Sequence, residues 1–542
     1  MADEHLSGYG GKKMTTETFK LTYGTMFNPP EELHSRFEEA LTAAKKKLGE
    51  EHGMILSGQE RFTREKFEDR SPADTNLVLG LFQKGGVQDA NDAIAAAKRA
   101  FPGWSRTKWQ ERVGFLRKAA DLIDQRIYEM SAVVALEVGK NRMEALGDVA
   151  ETADLIRYAC SQMEANEGYL LEMGRDPIAG YVSINKSVLR PYGVWLVISP
   201  FNFPSALTGG PVGAALVAGN TVVIKPASDT PWAARLIMDC LQDAGLPAGV
   251  CNYVTGPGST LGQALIDHTD VSGVTFTGSY EVGMKIYRDF AHGPWVRPAI
   301  LEMGGKNPAI VSRHADLEET AVGIVRSAFG LQGQKCSACS RVLIEAPMYD
   351  ALVERLVELT RKLVIGNPVE RPVNLGPVIN RKSYQDYQNF TEELSQAGRI
   401  LTGGKVMTEG AFSQGYFCEP TLVADVPLNH RLWKQEMFVP VTTVARVKDL
   451  EEAMWIANEV DYGLTAGFYG AQDEAEWFFD HIEAGVNYVN RSQGATTGAW
   501  PGFQPFGGWK GSGSSGKNAG GVYYLPLYMH EQIHSTVCKA SS

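Results

Sequence analysis

From Pro191 onward the chain alternates short β-branched runs with helix-forming stretches, and this alternation limits its fold more than any other feature. The runs are Val194 to Ile198, Thr221 to Ile224, Asn252 to Thr255 and Val274 to Thr277. Between or after them lie helical segments at Ser205 to Ala218, Pro231 to Ala244, Thr260 to His268 and Glu281 to Phe290. A strand followed by a helix and another strand predicts βαβ units, hence an open parallel sheet covered on both faces. The second half repeats the texture less regularly, with strands expected at Val342 to Glu345, Val439 to Val447, Ala466 to Tyr469 and Gly485 to Asn490. The fold class is therefore α/β, with two open parallel-sheet domains in series. Ahead of them, Phe37, Leu41, Ala44 and Leu48 mark one amphipathic helix. Residues 88 to 170 read as three helices, one carrying Trp109, Val113, Leu116, Ala120 and Ile123 on one face. Tyr181 to Leu189 and Val522 to Gln532 are extended and partly polar, and read as projecting ribbon.

Composition removes several function classes. The formal charge of −11 disfavours a nucleic-acid partner. No run reaches the ~18 to 20 apolar residues of a membrane span. The first residues lack a signal or transit pattern, and seven cysteines in 542 residues do not make a disulfide framework. A cytoplasmic globular protein is expected.

Some motif matches carry no chemistry. His530-Glu-Gln-Ile-His534 has the zinc-protease spacing, but its neighbours favour extended chain and no third ligand follows. Cys336 and Cys339 form a lone CxxC without a second pair, and no metal site is expected. Gly278 to Lys285 lacks the residues that grip phosphate in a P-loop, and Gly256 to Gly262 is one residue too long for a dinucleotide fingerprint.

A different set of residues points to one crevice. Cys336 lies among Gly330, Gly333 and Lys335, and a neighbouring cation lowers a thiol's pKa; the competing reading is a buried inert cysteine. Glu302 follows a strand and precedes two glycines, as a general base or as an ordinary surface carboxylate. Asn202 stands between a strand and a helix, as a helix cap or as a donor to an oxyanion. Lys225 and the Gly278-Ser279 turn end two further strands, at the sheet edge where open α/β folds bind ligands.

Pro200-Phe-Asn-Phe-Pro204, Lys225-Pro-Ala, Phe276-Thr-Gly-Ser279, Leu301-Glu-Met-Gly-Gly-Lys306, Gly333-Gln-Lys-Cys336, Glu436-Met-Phe and Pro505-Phe-Gly-Gly508 occur in the order and spacing of the aldehyde dehydrogenase superfamily. The resemblance spans residues 57 to 537. Arg326-Ser-Ala-Phe, Gln334 to Arg341 and Asn490 to Ala495 look most like the glutamate-semialdehyde, or 1-pyrroline-5-carboxylate, dehydrogenases within it.

The resemblance implies an N-terminal helical extension at 1–60, a cofactor domain at 61–173 and 191–303, an oligomerisation arm at 174–190 and 521–537, and a catalytic domain at 304–520. It implies Cys336 as nucleophile, Asn202 as oxyanion donor and Glu302 as the base for thioester hydrolysis, which argues against acyl transfer to coenzyme A. Ile198, Ser199, Lys225, Ser228, Gly278, Ser279, Glu436 and Phe438 would hold NAD, and serine rather than glutamate at 228 leaves NADP open. Ser337, Gly494 and Ala495 would anchor a substrate α-carboxylate, with Phe203 and Phe506 as aromatic walls. Thr496 to Gln504 is longer than the related pattern, so Trp500 and Phe503 would reshape the pocket. The implied reaction is NAD-dependent oxidation of L-glutamate γ-semialdehyde in proline catabolism by a homo-oligomer. Its rivals are another acidic semialdehyde as substrate, or a catalytically silent protein on the same scaffold.

Overall fold

Val194 and Leu196 pack into one apolar cluster and Trp195 and Val197 into another, so this strand is buried on both faces. Successive side chains of a strand point to opposite faces, which is why such a sequence is apolar without interruption. The computed structural model describes residues 20–27 and 29–540. Its first seven-stranded sheet runs Ala299–Glu302, Val271–Thr277, Val194–Ile198, Thr221–Lys225, Cys251–Tyr253, Met54–Leu56 and Gln59–Arg61. The first five strands are parallel, and the last two join antiparallel. Glu302 pairs with Thr277, Phe276 with Ile198, and Ile198 with Lys225, so four neighbouring strands end at one edge.

The second sheet runs Arg399–Thr402, Thr421–Ala424, Val441–Val447, Cys339–Glu345, Asn307–Val311, Thr465–Tyr469 and Val486–Val489. Only its first pair is antiparallel. The central strand Asn307–Val311 has no counterpart in the sequence reading. Pro308 disguises it, and a register shift sits between Asn307 and Pro308.

Three expectations change. Residues 88 to 170 hold four helices, not three: Val87–Trp104, Trp109–Gln125, Ile127–Val138 and Arg142–Ala165. Arg126 both ends the second and starts the third, with no glycine or proline to announce the break. Residues 1–19 of the expected N-terminal extension lie outside the described residues; among the described ones, the segment to residue 60 is helical only at Glu31–Ala44 and Lys45–Lys47, and Met54–Leu56 and Gln59–Arg61 already belong to the first sheet. The expected second ribbon starts late. Leu525–Tyr528 is one helical turn, and strand Met529–Lys539 then pairs antiparallel with Tyr181–Pro191. His530 and His534 lie in that strand, and no group of three metal-binding side chains exists among the described residues. Nor is any described helix long and apolar enough to cross a membrane.

Candidate active site

Cys336 sits in the short connection between the helix Leu317–Phe329 and the strand Cys339–Glu345. The connection is tightly wound, with Leu331, Gln332 and Gly333 at φ of 49°, 54° and 67°. Buried partners hold it. Leu331 donates its N–H to Glu144 Oε2 at 2.9 Å, and the Gln332 amide donates to the carbonyls of Gly139 and Pro377 at 2.9 and 2.6 Å.

Lys335 does not play the part expected of it. Its ammonium donates to Glu144 Oε1 at 2.6 Å, with both side chains buried. The Cys336 thiol is pushed up by burial, with Glu436 and Glu302 adding repulsion. The resting site therefore favours the thiol over the thiolate.

Glu302 closes its strand and borders the same cavity as Cys336. Its Oε2 is buried without a partner, and burial raises its pKa well above the usual carboxylate range. The glycines after it permit close packing. A Cβ on Gly305 would lie 2.3 Å from the Cys336 carbonyl oxygen, and one on Gly304 2.3 Å from the Glu436 carboxylate. Only glycine lets this loop sit between the two.

Asn202 is buried, and its side-chain amide donates to the Gln334 carbonyl at 2.9 Å. It is not the helix cap: the helix starts at Ala206, whose N–H donates to Asp148 Oδ1 at 2.8 Å. The second amide proton of Asn202 has no protein acceptor among the described residues.

Ile198, Ser199, Lys225 and Gly278 lie at the common strand edge. Ile198 and Lys225 end adjacent strands, and Ser199 donates its N–H to the Lys225 carbonyl at 3.2 Å. Lys225 is buried, has only the Pro226 carbonyl as partner among the described residues, at 2.9 Å, and is pushed down to about 8 by burial. Gly278 donates its N–H to the Glu302 carbonyl at 3.0 Å. Ser279 caps the helix Tyr280–Ala291, accepting the Val282 N–H at 3.4 Å, and is exposed like Ser228. A helix N-terminus and a lysine without a carboxylate partner among the described residues, both at this strand edge, suit a phosphorylated dinucleotide. Glu436 faces the Gly304-Gly305 loop, accepts the Gly305 N–H at 2.8 Å, and is pushed up to about 7 by burial. Phe438 stands edge-on to Phe201 at 5.8 Å.

The cavity, of about 210 Å³, is bordered by Cys336, Ser337, Glu302, Phe203 and Phe506. Gly494 and Ala495 are not anchor amides. Gly494 donates its N–H to the Arg491 carbonyl at 3.2 Å, and Ala495 to the Gly323 carbonyl at 3.0 Å. The open amides lie further along. Gly498 and Ala499 border the cavity, and neither N–H has a protein acceptor among the described residues. Arg491 grips the carbonyls of Thr497 and Gly498 at 2.6 and 3.2 Å, which turns this stretch toward the cavity. Of the two aromatics in the long loop, Trp500 is buried and donates to Asp154 Oδ2 at 2.9 Å, whereas Phe503 is exposed.

Three site residues escaped sequence reasoning: Glu144, Glu151 and Tyr23. Glu144, Asp148 and Glu151 recur at helical spacing, so an acidic stripe on a largely buried helix was the available signal. Glu151 borders the cavity and is pushed up to about 8 by burial.

The Aldehyde dehydrogenase family profile matches residues 59–533. A 1-pyrroline-5-carboxylate dehydrogenase of Geobacillus sp. (strain WCH70) is 40% identical over 505 residues, covering 92% of this chain and 95% of that protein. Among solved structures, the R100A mutant of Thermus thermophilus 1-pyrroline-5-carboxylate dehydrogenase is 34% identical, with a TM-score of 0.89 over 97% of this chain and 100% of that one. A Thermus 1-pyrroline-5-carboxylate dehydrogenase with bound NAD matches to the same extent, at 34% identity and a TM-score of 0.89 over 97% of this chain and 100% of that one.

Proposed function

The chain belongs to the aldehyde dehydrogenase family, and from that premise we propose that it oxidises L-glutamate γ-semialdehyde to L-glutamate with NAD, as a step of proline catabolism. One observation carries the reading. A single cavity is bordered by the Cys336 thiol, the Glu302 acid, the open amides of Gly498 and Ala499, and the Glu151 carboxylate. Those groups complement an aldehyde carbon, an α-carboxylate and an α-ammonium in one ligand.

Cys336 Sγ, having released its proton to solvent, bonds to the aldehyde carbon. The carbonyl electrons move to oxygen, where the free Asn202 amide proton and the Cys336 N–H stabilise the charge. NAD, which Lys225 and Ser279 would hold at the strand edge, would supply the acceptor for the hydride that leaves this carbon. The carbonyl re-forms as a thioester on Cys336, and the Glu302 carboxylate takes a proton from the water that attacks it. The C–S bond breaks, glutamate departs and the thiol is restored. Lys225 and the Ser279 helix terminus hold the dinucleotide at the strand edge, while Phe438 and Glu436 flank the approach to Cys336. Ser337, Gly498 and Ala499 take the α-carboxylate through hydroxyl and N–H donors, with Phe203 and Phe506 on the methylene stem.

The ribbon of Tyr181–Pro191 and Met529–Lys539 exposes Tyr181, Ile184, Ile533 and Val537, and serves as the assembly arm of a homo-oligomer. A substrate panel with NAD and NADP tests the function. Glutamate γ-semialdehyde with NAD is expected to give the highest kcat/KM, well above propanal and succinate semialdehyde. Equal values for propanal overturn the substrate assignment.

A further inference from the structure

Among the described residues the segment Lys20–Phe27 precedes every regular element, yet Tyr23, Met26 and Phe27 border the cavity. It is tied down at both ends. Lys20 pairs with Asp154 at 2.8 Å, and the Arg326 guanidinium lies 3.7 Å over the Phe27 ring. Between them Tyr23 enters edge-on to Phe203 and Trp500, with ring centroids at 6.1 and 5.4 Å. Helix Arg142–Ala165 makes room for the ring at Gly147, where a Cβ would lie 2.8 Å from Tyr23 Cε1. The Tyr23 hydroxyl then donates to Glu151 Oε2 at 2.8 Å.

Resting on the substrate reading above, we propose that Tyr23 is a positioning residue for the substrate's α-ammonium group, acting through Glu151. The charges around Glu151 explain why it needs one. The nearby cations are engaged elsewhere: Lys140 with Asp148 at 3.0 Å and with the face of Phe203 at 3.6 Å, Lys335 with Glu144 at 2.6 Å. Asp148 adds repulsion. Among the described residues the Tyr23 hydroxyl is the sole hydrogen-bond partner of the Glu151 side chain, and it occupies one oxygen. The other oxygen has no donor, in a cavity whose far end carries open N–H groups for an anion. A half-buried carboxylate with no cation paired to it favours a positive partner, and an ammonium arriving with the substrate supplies that charge. Tyr23 fixes the rotamer that leaves that oxygen facing the ligand.

The test compares Tyr23→Phe and Glu151→Gln in the full-length chain on two aldehydes of equal length, glutamate γ-semialdehyde and glutarate semialdehyde. The second lacks only the amine. Tyr23→Phe is expected to lower kcat/KM for the amino aldehyde about 5- to 10-fold, the scale of one lost hydrogen bond, through KM rather than kcat. Glutarate semialdehyde should change less than twofold, which also shows that the variant is folded. Glu151→Gln should give the same pattern with a larger loss. Equal losses on both aldehydes, or none on the amino aldehyde, overturn the role of Tyr23 while leaving the substrate reading intact. A wild-type enzyme with no preference for the amino aldehyde overturns that reading, and the proposal with it.

Discussion

The side-chain amide of Asn202 donates to the main-chain carbonyl of Gln334 at 2.9 Å, two residues before Cys336. Asn202 and Cys336, the proposed donor and nucleophile, are thus coupled through one short loop, although 132 positions of sequence separate Asn202 from Gln334. Removing a preorganised oxyanion donor costs about 100- to 1,000-fold in kcat, and Asn202→Ala is expected to fall in that range under saturating NAD. A change under threefold would leave Asn202 as a loop tether alone.

Under the proposed mechanism Glu302 serves the second half of the reaction. Glu302→Gln is expected to keep a rapid first turnover of NADH in stopped flow and then stall, with acyl-enzyme accumulating. In the wild type the base form must be ionised, and burial favours the neutral acid. Hydrolysis-limited turnover should therefore rise with pH along a limb well above the usual carboxylate range, and Glu302→Gln should lose that limb. A limb near the ordinary carboxylate value, or one that survives in the variant, would assign the base elsewhere.

Glu144 holds both Lys335 and the Leu331 N–H, so it underpins the Cys336 loop. Breaking a buried ion pair from one side costs about 3–5 kcal/mol. Glu144→Gln should lose stability on that scale in urea unfolding, and Glu144→Gln combined with Lys335→Met should recover part of it. The pH dependence of Cys336 alkylation by iodoacetamide is expected to match in wild type and Lys335→Met. A midpoint displaced upward in Lys335→Met would restore the lysine as the thiol's activator.

The ribbon makes a separate prediction. Ile533 and Val537 are exposed on its outer strand. Replacing both with aspartate should reduce the mass seen by light scattering and leave the cofactor and substrate residues untouched. An unchanged mass would place the contact between subunits on another surface.

The legibility of this site follows sequence distance. Cys336, Glu302 and Asn202 stand out locally because each interrupts an apolar or glycine-rich strand end with one reactive group. The link from Tyr23 to Glu151 spans 128 positions and that from Lys335 to Glu144 spans 191. Nothing near Lys335 reveals that its charge is already engaged, so the thiol was expected lower than burial sets it. Gly494-Ala495 and Gly498-Ala499 are the same dipeptide twice in six residues. Choosing between them depends on which N–H groups turn inward, which only the folded loop decides. The parallel sheets were readable because strands buried on both faces leave continuous apolar runs, whereas Asn307–Val311 was hidden by Pro308.

Helix Arg142–Ala165 braces the Cys336 loop through Glu144, receives the start of the next helix through Asp148, borders the cavity through Glu151 and ties Trp500 and Lys20 through Asp154. Heritable change in this helix would disturb all four tasks together, so selection has little freedom there. Lineages that shift to new aldehydes on this scaffold would diversify first at the two peripheral segments the helix restrains, 20–27 and 496–504, while the helix itself stays nearly frozen.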